Sequence, residues 1–153
     1  MEKDIKTDTG IIAQFKIHPT TTRGLYYVVR VFRTKKKMVE YGRANGIPIN
    51  RRTTAQCSTY VRQHVCGNGK MTTLKEIGAL SFYRRKVGMS IVTHECCHAA
   101  MFWLKKVMRR DTIIIDEKLN GKTVTGDEEK ICEVVGHLSR QVAVALWDNG
   151  VWK

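Results

Sequence analysis

Five consecutive residues, His94, Glu95, Cys96, Cys97 and His98, have the types and the spacing that metal chemistry needs. In a helix, residues four apart stand one turn apart on one face, so His94 and His98 can aim imidazole nitrogens at one ion ~2.0–2.1 Å from each. Glu95 then stands beside the ion's open position, where a carboxylate can take a proton from an activated water. In a chain with this many histidines and glutamates, a His-Glu-x-x-His string arises by chance roughly 0.01 times. Cys96 and Cys97 are zinc donors in principle. They lie off the His94–His98 axis, however, and helical geometry turns them toward the interior.

Two histidines are not a full site, because a catalytic zinc takes three protein ligands plus water. The stretch "TGDEEKICEVVGHL" supplies Glu129, Glu133 and His137 at i, i+4 and i+8, along one helical face. Capping and compensation of the helix dipole account for Asp127 and Glu128, for Glu129 less well, and hardly at all for Glu133 and His137. Gly136 in the same run costs about 1 kcal/mol relative to alanine, and close approach to the first helix is a packing reason for it.

These motifs must be positioned by the elements around them. "GLYYVVRVFRT" is rich in β-branched and aromatic residues and reads as a strand. The cationic run from Arg33 to Lys37 reads as a solvated strand end or loop, and "MVEYGRANGIPI" as a turn region with short extended pieces. "TTAQCSTYVRQHV" alternates and reads as one long strand closed by "CGNGK", and "IGALSFYRRK" as a third strand. From residue 89 the period becomes helical, which predicts a helix over 89–110. Residues 111–125 read as a loop or hairpin around Asn120-Gly121, and 126–147 as a second long helix that Thr125 and Glu128 open as a capping box. The expected fold is α+β, with 1–88 mostly β: a small antiparallel sheet packed with two long helices in one domain over 1–153.

"HECCH" followed some thirty residues later by "EEKICEVVGHL" resembles the zincin metallopeptidases whose third ligand is a glutamate. More narrowly, it resembles the short stand-alone metallopeptidases of phages and prophages, in which a strand precedes "HExxHA" and a second helix carries "ExxAxxxG". His94, Glu95, His98 and Ala99 match the first motif; Glu129, Cys132 and Gly136 match the second, with cysteine in place of a small residue. The resemblance covers about residues 78–146. It implies a minimal zincin-like core, Zn2+ as cofactor, Glu129 as third ligand, and Glu133 as a carboxylate orienting a ligand histidine. It also implies that an edge strand pairs with the substrate backbone, a place that Ala79, Leu80, Ser81, Phe82 and Tyr83 would take. The metzincin extension fails, with Met101 and Leu104 where a glycine and a third histidine should stand. SprT-type proteases take a third histidine from a "GHG" segment that is lacking here, which leaves His137 in "GHL" as the alternative ligand.

Composition bounds the rest. The chain has 153 residues, enough for one core without disulfide staples, and its five cysteines form no CxxC pair. The N-terminus does not read as a signal peptide and no apolar run is long enough to span a bilayer, so a cytoplasmic protein is expected, in the host cytoplasm if phage-encoded. Net charge is +13 and uneven: residues 1–70 hold 14 Lys+Arg against 4 Asp+Glu, and residues 71–153 hold 13 against 10. The sequence therefore supports two functions. One is a zinc peptidase cutting a protein or peptide, with Glu95 moving the proton. The other is a non-catalytic, metal-stabilised basic protein whose N-terminal half docks nucleic acid or an acidic protein.

Overall fold

The computed structural model describes residues 8–21, 24–47, 49–50, 52–60, 63–65, 67–109, 117–119, 122–124 and 127–153. The chain runs β1 (Ile11–Ile17), β2 (Tyr26–Phe32), α1 (Lys35–Ala44), β3 (Ala55–Thr59), β4 (Gln63–Val65), β5 (Met71–Thr73), β6 (Glu76–Tyr83), α2 (Met89–Met108), β7 (Glu117–Leu119), β8 (Lys122–Val124) and α3 (Glu128–Asp148). A four-stranded sheet in the order β1-β2-β6-β3 is antiparallel except for the central β2–β6 pair, which is parallel. The fold is α+β, as expected, with the two expected long helices, α2 and α3, and among the described residues one shorter helix, α1.

Alternation sorts the sheet's side chains between two layers. Tyr27, Val29 and Val31 of β2 and Leu80 and Phe82 of β6 join one core with Val92, Cys96, Ala99, Ala100, Trp103 and Leu104 of α2 and Val134, Leu138, Val142 and Leu146 of α3. On the other side Phe32 packs with Met38 of α1 and Ile49. The Tyr27 hydroxyl donates to the Ala99 carbonyl at 2.7 Å, tying β2 to α2 inside the core, and burial pushes its phenol well above the ordinary range. No described helix is long and apolar enough to cross a membrane.

Three expectations are corrected. The run beginning at Lys35 is helix α1, because Thr34 is an N-cap whose hydroxyl accepts from the Lys37 N–H and Met38 supplies a buried anchor. Second, "TTAQCSTYVRQHV" is not continuous: β3 ends at Thr59, and β4 pairs with β5 one residue out of β3's register on β6. Third, Ala79 to Tyr83 do not form a substrate edge. They lie in β6, whose two backbone edges are taken by β2 and β3. Among the described strands the outermost one next to α2 is β3. The Asn120-Gly121 turn and Thr125 of the expected capping box lie outside the described residues; the residue preceding α3 is Asp127.

Candidate metal centre

α2 buries one stripe, Val92, Cys96, Ala99, Ala100 and Trp103, and this decides where its histidines go. His94 and His98 fall on the opposite side of the helix and are exposed, while Glu95, between the two, is only 7% exposed and faces β3. The two Nε2 atoms stand 3.2 Å apart, with the rings edge to face. Two nitrogens each ~2.05 Å from a tetrahedral ion are about 3.3 Å apart, so the pair has the separation that shared ligation requires.

A cleft of about 680 Å3 separates α2 from β3. His94, Glu95, His98, Met101, Phe102 and Lys105 form one wall, and Ala55, Gln56, Cys57 and Thr59 of β3 form the other. No hydrogen bond or ion pair from a described residue engages the Glu95 carboxylate, which faces into the cleft. A carboxylate held by a mostly buried stem and presented to a cleft beside two histidines is placed where it could exchange a proton with a molecule bound there. Its negative charge reaches Cys57 across the cleft. Burial first, and Glu95 and Cys96 after it, push the Cys57 thiol up to about 12, so it stays protonated at neutral pH.

The predicted third ligand is not delivered. Among the described residues no three His, Cys, Asp or Glu side chains converge on a point that would hold a metal. The reason is rotational: α3 buries Val134, Leu138, Ser139, Val142 and Leu146, and at 100° per residue Glu129, Glu133 and His137 share a face turned away from that stripe. Glu129 and Glu133 are exposed and His137 is half-buried. Their spacing does align the three, but toward solvent rather than toward α2. Gly136 likewise is exposed, and a Cβ there would meet nothing within 4 Å, so close helix approach does not explain it.

Compared with known proteins, the chain matches no family model, no curated protein and no solved structure.

Cys96 is fully buried beside Ser139 of α3, and burial pushes its thiol up to about 11 despite that hydroxyl; Cys97 is half-buried. Cys96 thus belongs to the interior side of the helix, as its geometry predicts, whereas Cys97 is only partly covered and lies outside the core cluster. What sequence reasoning missed is that β3, rather than β6, borders the cleft, with Cys57 opposite Glu95. A signal was present: "AQCST" interleaves polar residues, as a half-solvated edge does, whereas "GALSF" is almost continuously apolar, as a central strand is.

Proposed function

We propose that this protein is a zinc metallopeptidase of the zincin kind, cutting an amide bond of a peptide or protein in the cleft between α2 and β3. The observation that carries the reading is the His94–His98 pair with its nitrogens 3.2 Å apart at the cleft wall, next to Glu95, whose carboxylate faces the same cleft.

His94 and His98 would hold the ion, and they are the protein donors that the described residues offer it. Zinc bound there supplies Lewis-acid polarisation of the scissile carbonyl and of water. Glu95 has the role of proton carrier: its carboxylate accepts a proton from the attacking water and hands it to the departing amine nitrogen. β3 is the outermost strand of its sheet on the cleft side, and an extended peptide lying along it could add to the sheet as a further strand. Phe102 and Met101 offer apolar surface for a substrate side chain, and Lys105 a positive charge at the end of the cleft.

Metal analysis of protein purified with zinc supplied, together with proteome-wide mapping of newly formed N-termini, tests the proposal. About one zinc per chain is expected in the wild type, and its loss in His94→Ala and His98→Ala. New N-termini should appear with wild-type protein and vanish on chelation. Protein that holds no stoichiometric zinc, or cleavage indifferent to a chelator, overturns the reading.

A further inference from the structure

The parallel neighbours β2 and β6 end side by side, with Phe32 opposite Tyr83, and the next residue of each is an arginine. Backbone bonds fix both: the Arg84 N–H donates to the Phe32 carbonyl at 2.9 Å, and the Arg33 N–H to the Gly10 carbonyl at 2.7 Å. Arg85 follows in the same turn. Lys153 reaches this edge from the end of the chain, which is pinned where the Trp152 indole N–H donates to the Val87 carbonyl at 2.7 Å. Arg33, Arg84, Arg85 and Lys153, with Val151, line one depression of about 530 Å3.

All four cations are exposed, and among the described residues none of them is in an ion pair; the pairs there involve Lys36 and Lys37. Convergent like charges repel one another, and an anion would relieve that repulsion. A second depression follows along α1, lined by Lys35, Lys36 and Arg43 together with Val39 and Glu40. Only Thr34 separates Arg33 of the first depression from Lys35 of the second. Neither α1 nor α2 has an acidic residue in its first turn, so both helix dipoles add positive potential at this edge.

We infer that this edge docks the phosphodiester backbone of a nucleic acid, with Arg33, Arg84 and Arg85 gripping phosphates in the first depression and Lys35, Lys36 and Arg43 following the strand along α1. Two cationic depressions in succession suit an extended polyanion better than a compact one. Protein partners bury an apolar core, and the exposed large hydrophobic residues among those described, Met71, Leu74, Met89, Val107, Val144 and Trp147, line neither depression. Each depression carries one half-buried valine, Val151 or Val39, and no aromatic side chain, while its charged groups are mostly cations; that balance suits phosphate-dominated, sequence-independent binding. The inference does not depend on the peptidase reading.

The test is fluorescence anisotropy with labelled single-stranded and duplex DNA of mixed sequence and a labelled poly-glutamate peptide of equal charge, from about 50 to 200 mM salt. The triple variant Arg33→Gln, Arg84→Gln, Arg85→Gln alters exposed side chains only, and its thermal melt should match the wild type. It should bind single-stranded DNA at least about tenfold more weakly, and its log–log salt slope should be shallower by about 2, at ~0.7 per lost phosphate contact. A control with the same charge change, Lys70→Gln, Lys130→Gln, Arg140→Gln, should stay within about threefold of wild type, and Glu95→Gln should bind unchanged. Three outcomes would each overturn the inference: equal weakening of triple and control, poly-glutamate bound as tightly as DNA, or no binding of either DNA at the lower salt.

Discussion

Gly78 is where the reassigned cleft wall can be tested by a single methyl group. A Cβ at this position would stand 2.5 Å from the Ser58 carbonyl oxygen and 2.9 Å from the Tyr27 ring. Ordinary contact begins at 3.4 Å, so the carbonyl would have to retreat from 2.5 to 3.4 Å, by about 0.9 Å. Neither neighbour gives easily: Ser58 is locked in the β3–β6 ladder, and Tyr27 is fully buried with its hydroxyl bonded to α2. Overpacking of this kind costs about 1–3 kcal/mol, and a ladder hydrogen bond lost as β3 lifts adds about 1 kcal/mol. For a domain of this size, Gly78→Ala should therefore lower Tm by roughly 5–15 °C. Calorimetry or circular dichroism reads the shift, and alkylation of Cys57 should accelerate as β3 moves away from β6. Gly136→Ala is the matched control: it adds the same methyl to an exposed helical position with open space, and should raise stability by up to about 1 kcal/mol. Gly78→Ala melting within about 1 °C of wild type, or Gly136→Ala proving equally damaging, would refute this account of how β3 is seated.

Replacing Glu95 by Gln keeps the shape and removes the proton carrier, so kcat should fall about 10²–10⁴-fold while zinc content and Tm stay close to wild type; comparable turnover would end the role given to Glu95. Glu129→Gln should retain full zinc, because its face of α3 points to solvent; loss of metal there would show that α3 sits differently in solution. Tyr27→Phe should cost about 1 kcal/mol in denaturant unfolding, the worth of one buried hydrogen bond. The Cys57 thiol has its pKa raised on folding, so the stability it contributes is complete below the unfolded thiol's pKa and lost as pH rises toward about 12. The fall in unfolding free energy from pH 9 to pH 11 should thus be shallower in Cys57→Ala, and an unchanged slope would contradict the burial assigned to this thiol.

Local chemistry was legible from the chain. The helical period beginning near residue 89 gave α2 almost to the residue, since amphipathic spacing is a property of consecutive positions. The turn from Val92 and Cys96 on one side to His94 and His98 on the other follows from the same 100° step. α1 was hidden because Lys35, Lys36 and Lys37 look like loop, and it takes the Thr34 cap together with Met38 packing on Phe32 and Ile49 to make a helix of them. The rank of the strands was hidden as well. Strand propensity tells that "GALSF" extends but not how many neighbours it has, and a parallel β2–β6 pair joins segments that are far apart in the chain.

The chain by itself determined the histidine pair, the carboxylate between the two, the interior placement of Cys96 and the α+β class, because each depends on periodicity within one element. Which face of α3 meets α2, which strand borders the cleft, and which cations converge depend on contacts between elements. Spacing aligned Glu129, Glu133 and His137, but burial of Leu138 and Val142 rotated them away from the site. Charge counting assigned the basic character to the first half of the chain, whereas one depression joins Arg33 of that half to Arg84, Arg85 and Lys153 of the other. A helix can be turned about its axis, and a strand seated at the edge or at the centre, without altering any local pattern. Only the shared core selects among these arrangements.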